Sequence, residues 1–283
     1  MKSVRIRKRA AAAALNLLIG LLALLWLVPV FWLVLSSFRA EQGAYTSYLW
    51  PKGFTFRNYV RLFTDRRLFD FPRWFGNTML VAGCSCVITT VLTLMVAYVY
   101  SRLRFPSRRF LMNASLVLGM FPGFMSIIAI YHFMKAVSLD QTLLALILVY
   151  SGGAALNYYI AKGYFDTIPK SLDEAAILDG ASNHTIFWRI ILPNSKPVIA
   201  TTAINAFINP IVDFIFVSVI MKDNYSNFTV AKGLYTMVDK TNIYEYYTVF
   251  CAGAVIVAIP VVLLFLRVQK YYVAGVVGGS VKG

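Results

Sequence analysis

The chain has 283 residues, of which 59% are hydrophobic and only 14% are charged, and its formal net charge is +15. Soluble domains carry roughly 25% charged residues, so this chain has too few to cover a water-facing surface. Uncharged stretches of about 20 residues cross a hydrocarbon core as helices, whereas strands of a membrane barrel alternate over about 10 residues. The composition therefore excludes a soluble domain and a β-barrel, and it indicates an all-α, polytopic membrane protein.

Six stretches with few or no charged residues follow one another along the chain and predict six transmembrane helices. Their approximate bounds are 10–38, 76–101, 110–134, 141–161, 197–221 and 246–266. We expect residues 10–268 to form one membrane domain that includes the loop 162–196, with terminal segments 1–9 and 269–283 outside it.

The positions of Lys and Arg predict how the chain is oriented. Five basic residues and no acidic residue lie in segment 1–9, and the short segment 102–109 contains four arginines. Short basic segments stay on the cytoplasmic side, so both termini and the loop 162–196 are expected in the cytoplasm. No basic stripe with groove-reading side chains is present, so a nucleic-acid partner is not expected.

The predicted spans contain few ionisable side chains. Asn205, Asn209 and Asp213 follow one another at intervals of four residues, which places them on one face of a helix. Such a polar stripe lines a water-filled path or contacts another helix. A proton relay would need a second carboxylate within the spans, so the sequence favours a path or a helix contact.

Motifs of catalysis and of nucleotide binding are absent from the sequence. It contains no G-x-x-x-x-G-K-[ST], no H-E-x-x-H and no G-x-S-x-G. Cys84, Cys86 and Cys251 are interpreted as small apolar residues, and no Cys/His cluster has the spacing of a metal site. No catalytic residue, metal or cofactor is therefore expected in this chain, and the energy for any transport must come from elsewhere.

The loop 162–196 is predicted to contain a helix-turn-helix. Ser171 is placed to cap a first helix, with Glu174 completing a capping box three residues later. Asp173 and Glu174 lie near the positive end of the helix dipole. Gly180 is the residue type that ends such a helix.

A second helix is predicted to begin at Ser182 and to end before Pro193. The residue types alone leave two interpretations of the pair open. The helices either lie on lipid headgroups or dock on a partner protein.

The spacing of residues in this loop carries a resemblance to a known family. Glu174-Ala175-Ala176 is followed by Asp179-Gly180-Ala181 and then by Ile190-x-Leu192-Pro193. This pattern resembles the EAA loop of ABC-importer permease subunits. The resemblance implies a coupling helix that sits in a cleft of a separate ATP-binding subunit. The residues it assigns to coupling are Glu174, Ala175, Ala176, Asp179, Gly180, Ala181, Ile190, Leu192 and Pro193.

The resemblance extends beyond this loop. The six-span arrangement and the stretch from about 165 to 283 resemble the smaller membrane subunit of maltose/maltodextrin-type importers. The resemblance implies two further roles. The outer loop 222–245 is expected to contact a solute-binding protein, and its tyrosines and asparagines suit sugar hydroxyls. The C-terminal tail is expected to reach between two ATPase subunits. The tail residues concerned are Gly275, Gly278, Gly279 and Lys282.

One departure from the family pattern lies in the fifth span. Many relatives carry Trp-Asn-Asp/Glu-Phe where this chain has Ile211-Val212-Asp213-Phe214. The acidic residue is kept and the Trp-Asn pair is missing, as in the maltose-type subunit. A sugar-stacking tryptophan is therefore not expected at this position.

Taken together, the resemblance implies a multi-pass subunit of a binding-protein-dependent ABC importer in the bacterial cytoplasmic (inner) membrane. The expected substrate is maltose, maltodextrin or a related oligosaccharide. Expected partners are a second permease subunit, a solute-binding protein and two ATP-binding subunits, which would bind the ATP and Mg. The alternatives are an ABC importer for another solute, such as a different oligosaccharide or glycerol phosphate, and a stand-alone secondary transporter or channel.

Overall fold

The structure is a computed structural model that describes the backbone of residues 2–46, 48–66, 68–120, 122–153 and 155–280. Side chains are described in the same ranges except at 2–10, 124, 155 and 272–280. Within these ranges the regular secondary structure is helical, and one isolated bridge pairs Arg39 with Phe54. The all-α class predicted from the sequence is confirmed.

The described part of the chain contains thirteen α-helices. They are α1 (Lys2–Ser37), α2 (Arg57–Thr64), α3 (Phe71–Arg102), α4 (Arg108–Met120), α5 (Gly123–Ala136), α6 (Leu143–Gly152), α7 (Ala155–Asp166), α8 (Ser171–Leu178), α9 (Asn183–Ile186), α10 (Lys196–Val212), α11 (Ile215–Met221), α12 (Val230–Met237) and α13 (Ile243–Ser280). A π-helical segment, Phe187–Ile191, and two 3₁₀ segments, Pro193–Ser195 and Tyr225–Asn227, complete the helical elements.

Three helices are long and apolar enough to cross a membrane by themselves: α1 from Ala11, α3, and α13 as far as Tyr271. Three further candidate spans are pairs of helices that meet at a bend. The bend is 107° between α4 and α5, 44° between α6 and α7, and 58° between α10 and α11. With each bent pair counted as one span, the described residues contain six candidate spans, which is the predicted number.

The bends change the prediction for spans 110–134, 141–161 and 197–221, each of which is two helices instead of one. Pro122 precedes α5 with φ −59° and an extended ψ of 122°, so the chain departs from helical geometry directly before α5. Asp213 ends α10 in an extended conformation, with φ −76° and ψ 107°.

The chain forms two compact units, the first made of residues 1–69 and 234–256. Asn58 organises this unit because its amide donates to the carbonyls of Ser37 at 3.0 Å and Arg39 at 2.8 Å. The Thr248 hydroxyl donates to the Asn58 side-chain oxygen at 3.0 Å. The beginning of α13 is therefore bonded to the segment that follows α1.

The second unit consists of residues 70–233 and 257–283. Its centre is α3, which packs along α10 and against α6 and α7. The buried face of α3 has small side chains at helical spacing, which allows neighbouring helices to approach closely. These residues are Thr78, Ala82, Ser85, Thr89, Thr93 and Ala97.

An apolar cluster lies where the C-terminal part of α3 meets the predicted coupling segment. It includes Tyr98 of α3, Phe165 of α7, Phe187 and Ile191 of the π-helical segment, and Val198 of α10. Because all of these side chains are buried, the coupling segment is attached to the helical core through its second half.

Candidate coupling site and translocation path

The first coupling helix, α8, begins one residue earlier than the sequence pattern suggests. The predicted capping box at Ser171 is wrong: Lys170 is the N-cap and already has helical φ and ψ of −67° and −23°. The Glu174 N–H donates to the Lys170 carbonyl at 3.0 Å, so the Ser171 hydroxyl has no free N–H to cap there. Asp173 and Glu174 do lie in the first turn, as predicted from the dipole.

The turn after α8 is the one expected from Gly180. This residue has φ +81°, a left-handed conformation that glycine adopts without steric cost. Its N–H donates to the Ile177 carbonyl at 2.9 Å, and the Ala181 N–H donates to the Ala176 carbonyl at 2.9 Å. These two bonds form a Schellman motif, which satisfies the last carbonyls of α8.

The second coupling helix, unlike the first, begins where it is predicted. The Ser182 hydroxyl accepts a hydrogen bond from the Thr185 N–H at 3.3 Å and caps α9. The helix continues as the π-helical segment, in which the Leu192 N–H donates to the Phe187 carbonyl, and then passes through a 3₁₀ turn into α10. Ile190 and Leu192 are half-buried against the apolar cluster, and Pro193 is exposed.

The helix α8 has one buried and one exposed face. Asp173 and Ala176 are buried, whereas Glu174, Ala175, Asp179 and Gly180 are exposed. Three apolar side chains share the exposed surface and were not singled out from the sequence: Leu172, Ile177 and Leu178, with 43%, 57% and 90% exposure. An exposed apolar surface on a two-turn helix is typical of an element that binds a protein or a membrane surface.

The buried face of α8 is joined to α3 by an ion pair. The Arg102 guanidinium lies 2.6 Å from the Asp173 carboxylate, and its NH2 group donates to the Ile168 carbonyl at 2.9 Å. The Tyr98 hydroxyl, one turn earlier on α3, donates to the Asn183 carbonyl at 3.2 Å. The end of α3 therefore holds both helices of the coupling segment.

This ion pair is costly to bury. Burial raises the pKa of the Asp173 carboxyl above its ordinary value of 3.8, and the Arg102 guanidinium offsets part of that increase. Among the described residues, the second Asp173 oxygen and the Arg102 Nε are both buried without a hydrogen-bond partner, so the two side chains form an ion pair and not a hydrogen bond. Pairs of this kind contribute less to stability than apolar side chains of similar volume, so stability alone gives little reason for the pair.

The three predicted path residues lie in two different places. Asn205 and Asn209 are exposed on α10, one turn apart. Asp213 lies beyond the end of α10, where its Oδ1 accepts a hydrogen bond from the Phe216 N–H at 2.9 Å. Asp213 therefore caps α11, a role that the regular spacing of the three residues does not reveal.

Asp213 also lines a cavity of about 370 Å³ between the bent pairs of helices. Most of its wall is apolar, and Ser126, Tyr150 and Phe216 contribute to it together with Asp213. The volume falls within the range of small-ligand sites, and a few polar groups in an apolar wall are typical of them. Neither Asn205 nor Asn209 lines this cavity.

The beginning of the predicted outer loop 222–245 is fixed by its own polar side chains. The amides of Asn224 and Asn227 donate to the Gln141 carbonyl at 3.2 and 2.8 Å. The Tyr225 ring stacks on Phe228, with ring centres 4.8 Å apart. Side chains that suit sugar hydroxyls in the sequence therefore position the loop in the structure.

The C-terminal residues assigned to the ATPase contact lie in or beyond α13. Gly275, Gly278 and Gly279 belong to this helix, which ends at Ser280. Lys282 lies outside the described residues. Within the described residues, no group of three or more His, Cys, Asp or Glu side chains is arranged to hold a metal ion.

Residues 89–277 match the family described as "Binding-protein-dependent transport system inner membrane component". The chain belongs to this family. The matched stretch contains the coupling segment, the bent pair α10–α11 and most of α13. The family and the apolar helices together identify a multi-pass membrane permease.

Named relatives of this permease are similar over most or all of the chain. The galactooligosaccharide transport system permease protein GanQ of Bacillus subtilis is 33% identical and covers 100% of both chains. The maltodextrin transport system permease protein MalD of Streptococcus pneumoniae is 31% identical over 99% of both. The maltose/maltodextrin transport system permease protein MalG of Escherichia coli is 35% identical over 74% of this chain and 72% of MalG. All three are named as transport permeases, not as enzymes.

Solved structures show the same fold. A chain of a bacterial ABC transporter involved in the import of the acidic polysaccharide alginate superposes with a TM-score of 0.78. The two chains are 24% identical, over 93% of the permease and 97% of the other chain. A chain of the MetNI methionine ABC transporter gives a TM-score of 0.55 at 18% identity, over 72% and 95% of the two chains. The fold is that of ABC-transporter membrane subunits.

Proposed function

We propose that this permease is a transmembrane subunit of an ABC importer that moves maltose, maltodextrin or a related oligosaccharide across the bacterial cytoplasmic membrane. The observation that carries the proposal is the two-faced helix α8. Its inner face is fixed to α3 by Asp173, and its outer face presents Glu174, Ala175 and Leu178. The names of the full-length relatives, for galactooligosaccharides and maltodextrin, support the substrate class.

In the proposed mechanism, ATP hydrolysis takes place in a partner subunit, and this chain contributes the movement of its helices. A partner ATPase binds ATP and Mg and hydrolyses the nucleotide, and this chain carries no catalytic residue. Glu174, Ala175, Asp179 and Gly180 lie on the surface that would enter a cleft of the ATPase. Closure of the ATPase dimer would push α8, and the attached helices would follow as a rigid body.

The proposed translocation path includes the cavity lined by Asp213. Oligosaccharides are recognised by carboxylates that accept hydroxyl hydrogen bonds and by aromatic rings that cover sugar faces. Asp213, Tyr150 and Phe216 supply both groups in one cavity. Asn205 and Asn209 are exposed in the isolated chain, and we place them on the same path or on a contact with the second permease.

The proposed assembly contains a second permease subunit, two ATP-binding subunits and an external solute-binding protein. An alginate ABC transporter with this fold has been solved with a pentasaccharide-bound periplasmic protein, at a TM-score of 0.63 and 17% identity. We place both termini in the cytoplasm, with Gly275, Gly278, Gly279 and Lys282 near the ATPase subunits. The tail then lies on the same side of the membrane as α8.

Replacing Gly180 tests the proposed coupling. Valine does not tolerate φ +81°, whereas asparagine adopts left-handed conformations, so Gly180→Val should deform the turn and Gly180→Asn should preserve it. The complex is reconstituted in proteoliposomes with its ATPase and binding protein, and uptake of labelled maltotriose or galactooligosaccharide is measured. We expect Gly180→Val to lose uptake while ATP hydrolysis continues, and Gly180→Asn to transport.

Two results would contradict the proposal. One is ATP-independent uptake by the unmodified permease in the absence of its ATPase. The other is uptake that an ionophore abolishes, since this would indicate coupling to an ion gradient.

A further inference from the structure

The helix α3 is the longest helix that lies wholly within the second unit, and it is unbroken from Phe71 to Arg102. At 1.5 Å per residue its 32 residues span about 48 Å. Its proline, Pro72, occupies the first turn, where a missing N–H does not interrupt the helix. Three other candidate spans are pairs of helices that meet at a bend, whereas α3 forms its candidate span as one continuous helix.

The N-terminal end of α3 holds the predicted outer loop. The Trp74 indole N–H donates to the Tyr225 carbonyl at 2.9 Å, and the Asn77 amide donates to the carbonyls of Ser226 at 2.9 Å and Phe228 at 3.0 Å. The Thr78 hydroxyl accepts from the Val230 N–H at 2.8 Å. Because these bonds are made to backbone groups of the loop, the beginning of the loop is attached to the N-terminal end of α3 and would move with it.

The C-terminal end of α3 holds the coupling segment through Tyr98 and Arg102. Arg102 lies in the last turn of α3, and Asp173 lies in the first turn of α8. A cation at the negative end of one helix dipole thus pairs with an anion at the positive end of another. The ion pair therefore holds the first turn of α8 against the last turn of α3.

The pair suits a mechanical role for a second reason. An eight-residue helix is unstable by itself and needs an anchor to keep its shape when it is pushed. Separating a buried ion pair leaves uncompensated charges, so the contact between Arg102 and Asp173 resists displacement of α8 from α3. The anchor residue Asp173 directly precedes Glu174, which lies on the exposed face.

We propose that α3 is a rod that transmits movement between the coupling segment and the outer loop, and that Arg102 and Asp173 form the joint at its inner end. Arg102 and Asp173 are positioning residues, because they hold the surface that meets the ATPase and do not contact ATP or sugar. This inference rests on the proposed function, because it requires an ATPase at α8 and a binding protein near the loop.

Asp173→Asn tests the joint in the complete transporter. We expect the ATPase to co-purify in normal amount and to hydrolyse ATP, while sugar uptake per ATP hydrolysed falls by about tenfold or more. Lys162→Gln is the matched control, because it removes one charge of the Lys162–Asp166 pair within α7, at 2.5 Å, and leaves the bond from the Ser101 hydroxyl of α3 to the other Asp166 oxygen in place. This control should transport at the normal ratio.

A double variant keeps the test decisive if Asp173→Asn fails to fold. Arg102→Met with Asp173→Leu removes both charges and fills the space with apolar atoms, which restores folding in comparable buried pairs. We expect this variant to assemble but to remain uncoupled. Normal uptake per ATP hydrolysed, in either the single or the double variant, would contradict the proposed role of the Arg102–Asp173 pair in coupling.

Asn77→Ala tests the outer end of the rod. We expect basal ATP hydrolysis to be unchanged, and its stimulation by the sugar-loaded binding protein to fall by about tenfold. Asn113→Ala, at an exposed asparagine of α4, is the matched control. Full stimulation of the Asn77→Ala complex would overturn the role of α3 as a rod.

The unmodified transporter separates this inference from the proposed function. If it shows no ATP-dependent uptake, the proposed function fails. If it transports normally and the variants at Arg102, Asp173 and Asn77 do so as well, only the inference fails.

Discussion

At the scale of single residues, Gly233 shows how closely α12 approaches α3. A Cβ atom built on Gly233 would overlap the indole ring of Trp74. Trp74 is 1% exposed, and its N–H is bonded to the Tyr225 carbonyl, so the ring has no free space to move into. Glycine at this position is therefore required by packing.

Gly233→Ala should lower the stability of the protein by about 1–3 kcal/mol, the usual cost of inserting a methyl group into a packed core. The measurement is thermal unfolding of the purified permease in detergent. Gly163→Ala in α7 is the control, because a Cβ there has no atom within 4 Å. Equal destabilisation of the two variants would contradict the packing argument.

At the scale of helices, Asp213 lies at the break between α10 and α11. Its carboxylate caps α11 through the Phe216 N–H while the same side chain faces the cavity. One residue thus ends a helix, begins the next and contributes the charge in the proposed path. The break brings α11 close to α5, which lines the same cavity.

Replacing Asp213 separates its two roles. Asp213→Ala removes the cap and should cost about 1 kcal/mol in thermal unfolding, whereas Asp213→Asn keeps a capping oxygen and should unfold normally. Both variants remove the charge, so both should change uptake of labelled oligosaccharide. Normal uptake by Asp213→Asn would show that the charge plays no part in transport.

Sequence patterns predicted those parts of the coupling segment that depend on neighbouring residues. The turn at Gly180 and the cap at Ser182 follow from local backbone chemistry, and both are present. The cap at Ser171 was mispredicted because Lys170 adopts helical angles, which the pattern of side chains does not show. The pairing of Arg102 with Asp173 joins distant parts of the chain and has no spacing that reveals it.

The prediction of the membrane spans has the same limit, because it depends only on local composition. Hydropathy predicted six apolar stretches, because a lipid core selects for length and composition. It did not predict the bends, since both halves of each bent pair are apolar. Pro122 offered a local signal for one bend, whereas the break at Asp213 depends on how its side chain is bonded.

At the scale of the whole molecule, the charge distribution predicts the orientation in the membrane. The proposed topology places Leu178 in the cytoplasm and Tyr45 outside. These two side chains are 90% and 92% exposed, so cysteines introduced at them should react equally well once reagent reaches them.

Labelling with a membrane-impermeant maleimide tests this topology. In a background without Cys84, Cys86 and Cys251, intact cells should label Tyr45→Cys and not Leu178→Cys. Inverted vesicles from cells that lack the ATPase subunit, which would otherwise cover Leu178, should give the opposite pattern. Labelling of Leu178→Cys in intact cells would show that the orientation is the opposite of the proposed one. The helix α8 would then lie outside the cell, where it could not contact a cytoplasmic ATPase.

The first unit, made of residues 1–69 and 234–256, has a consequence for the order of synthesis. Asn58 and Arg61 leave the ribosome early, but Thr248 and Glu245, which bond to them at 3.0 and 2.8 Å, are made near the end. Because domains assemble as translation proceeds, this unit stays open until α13 has been inserted. A chain interrupted before Glu245 would lack the two side chains that bond to Asn58 and Arg61, so the segment after α1 would not yet be joined to α13.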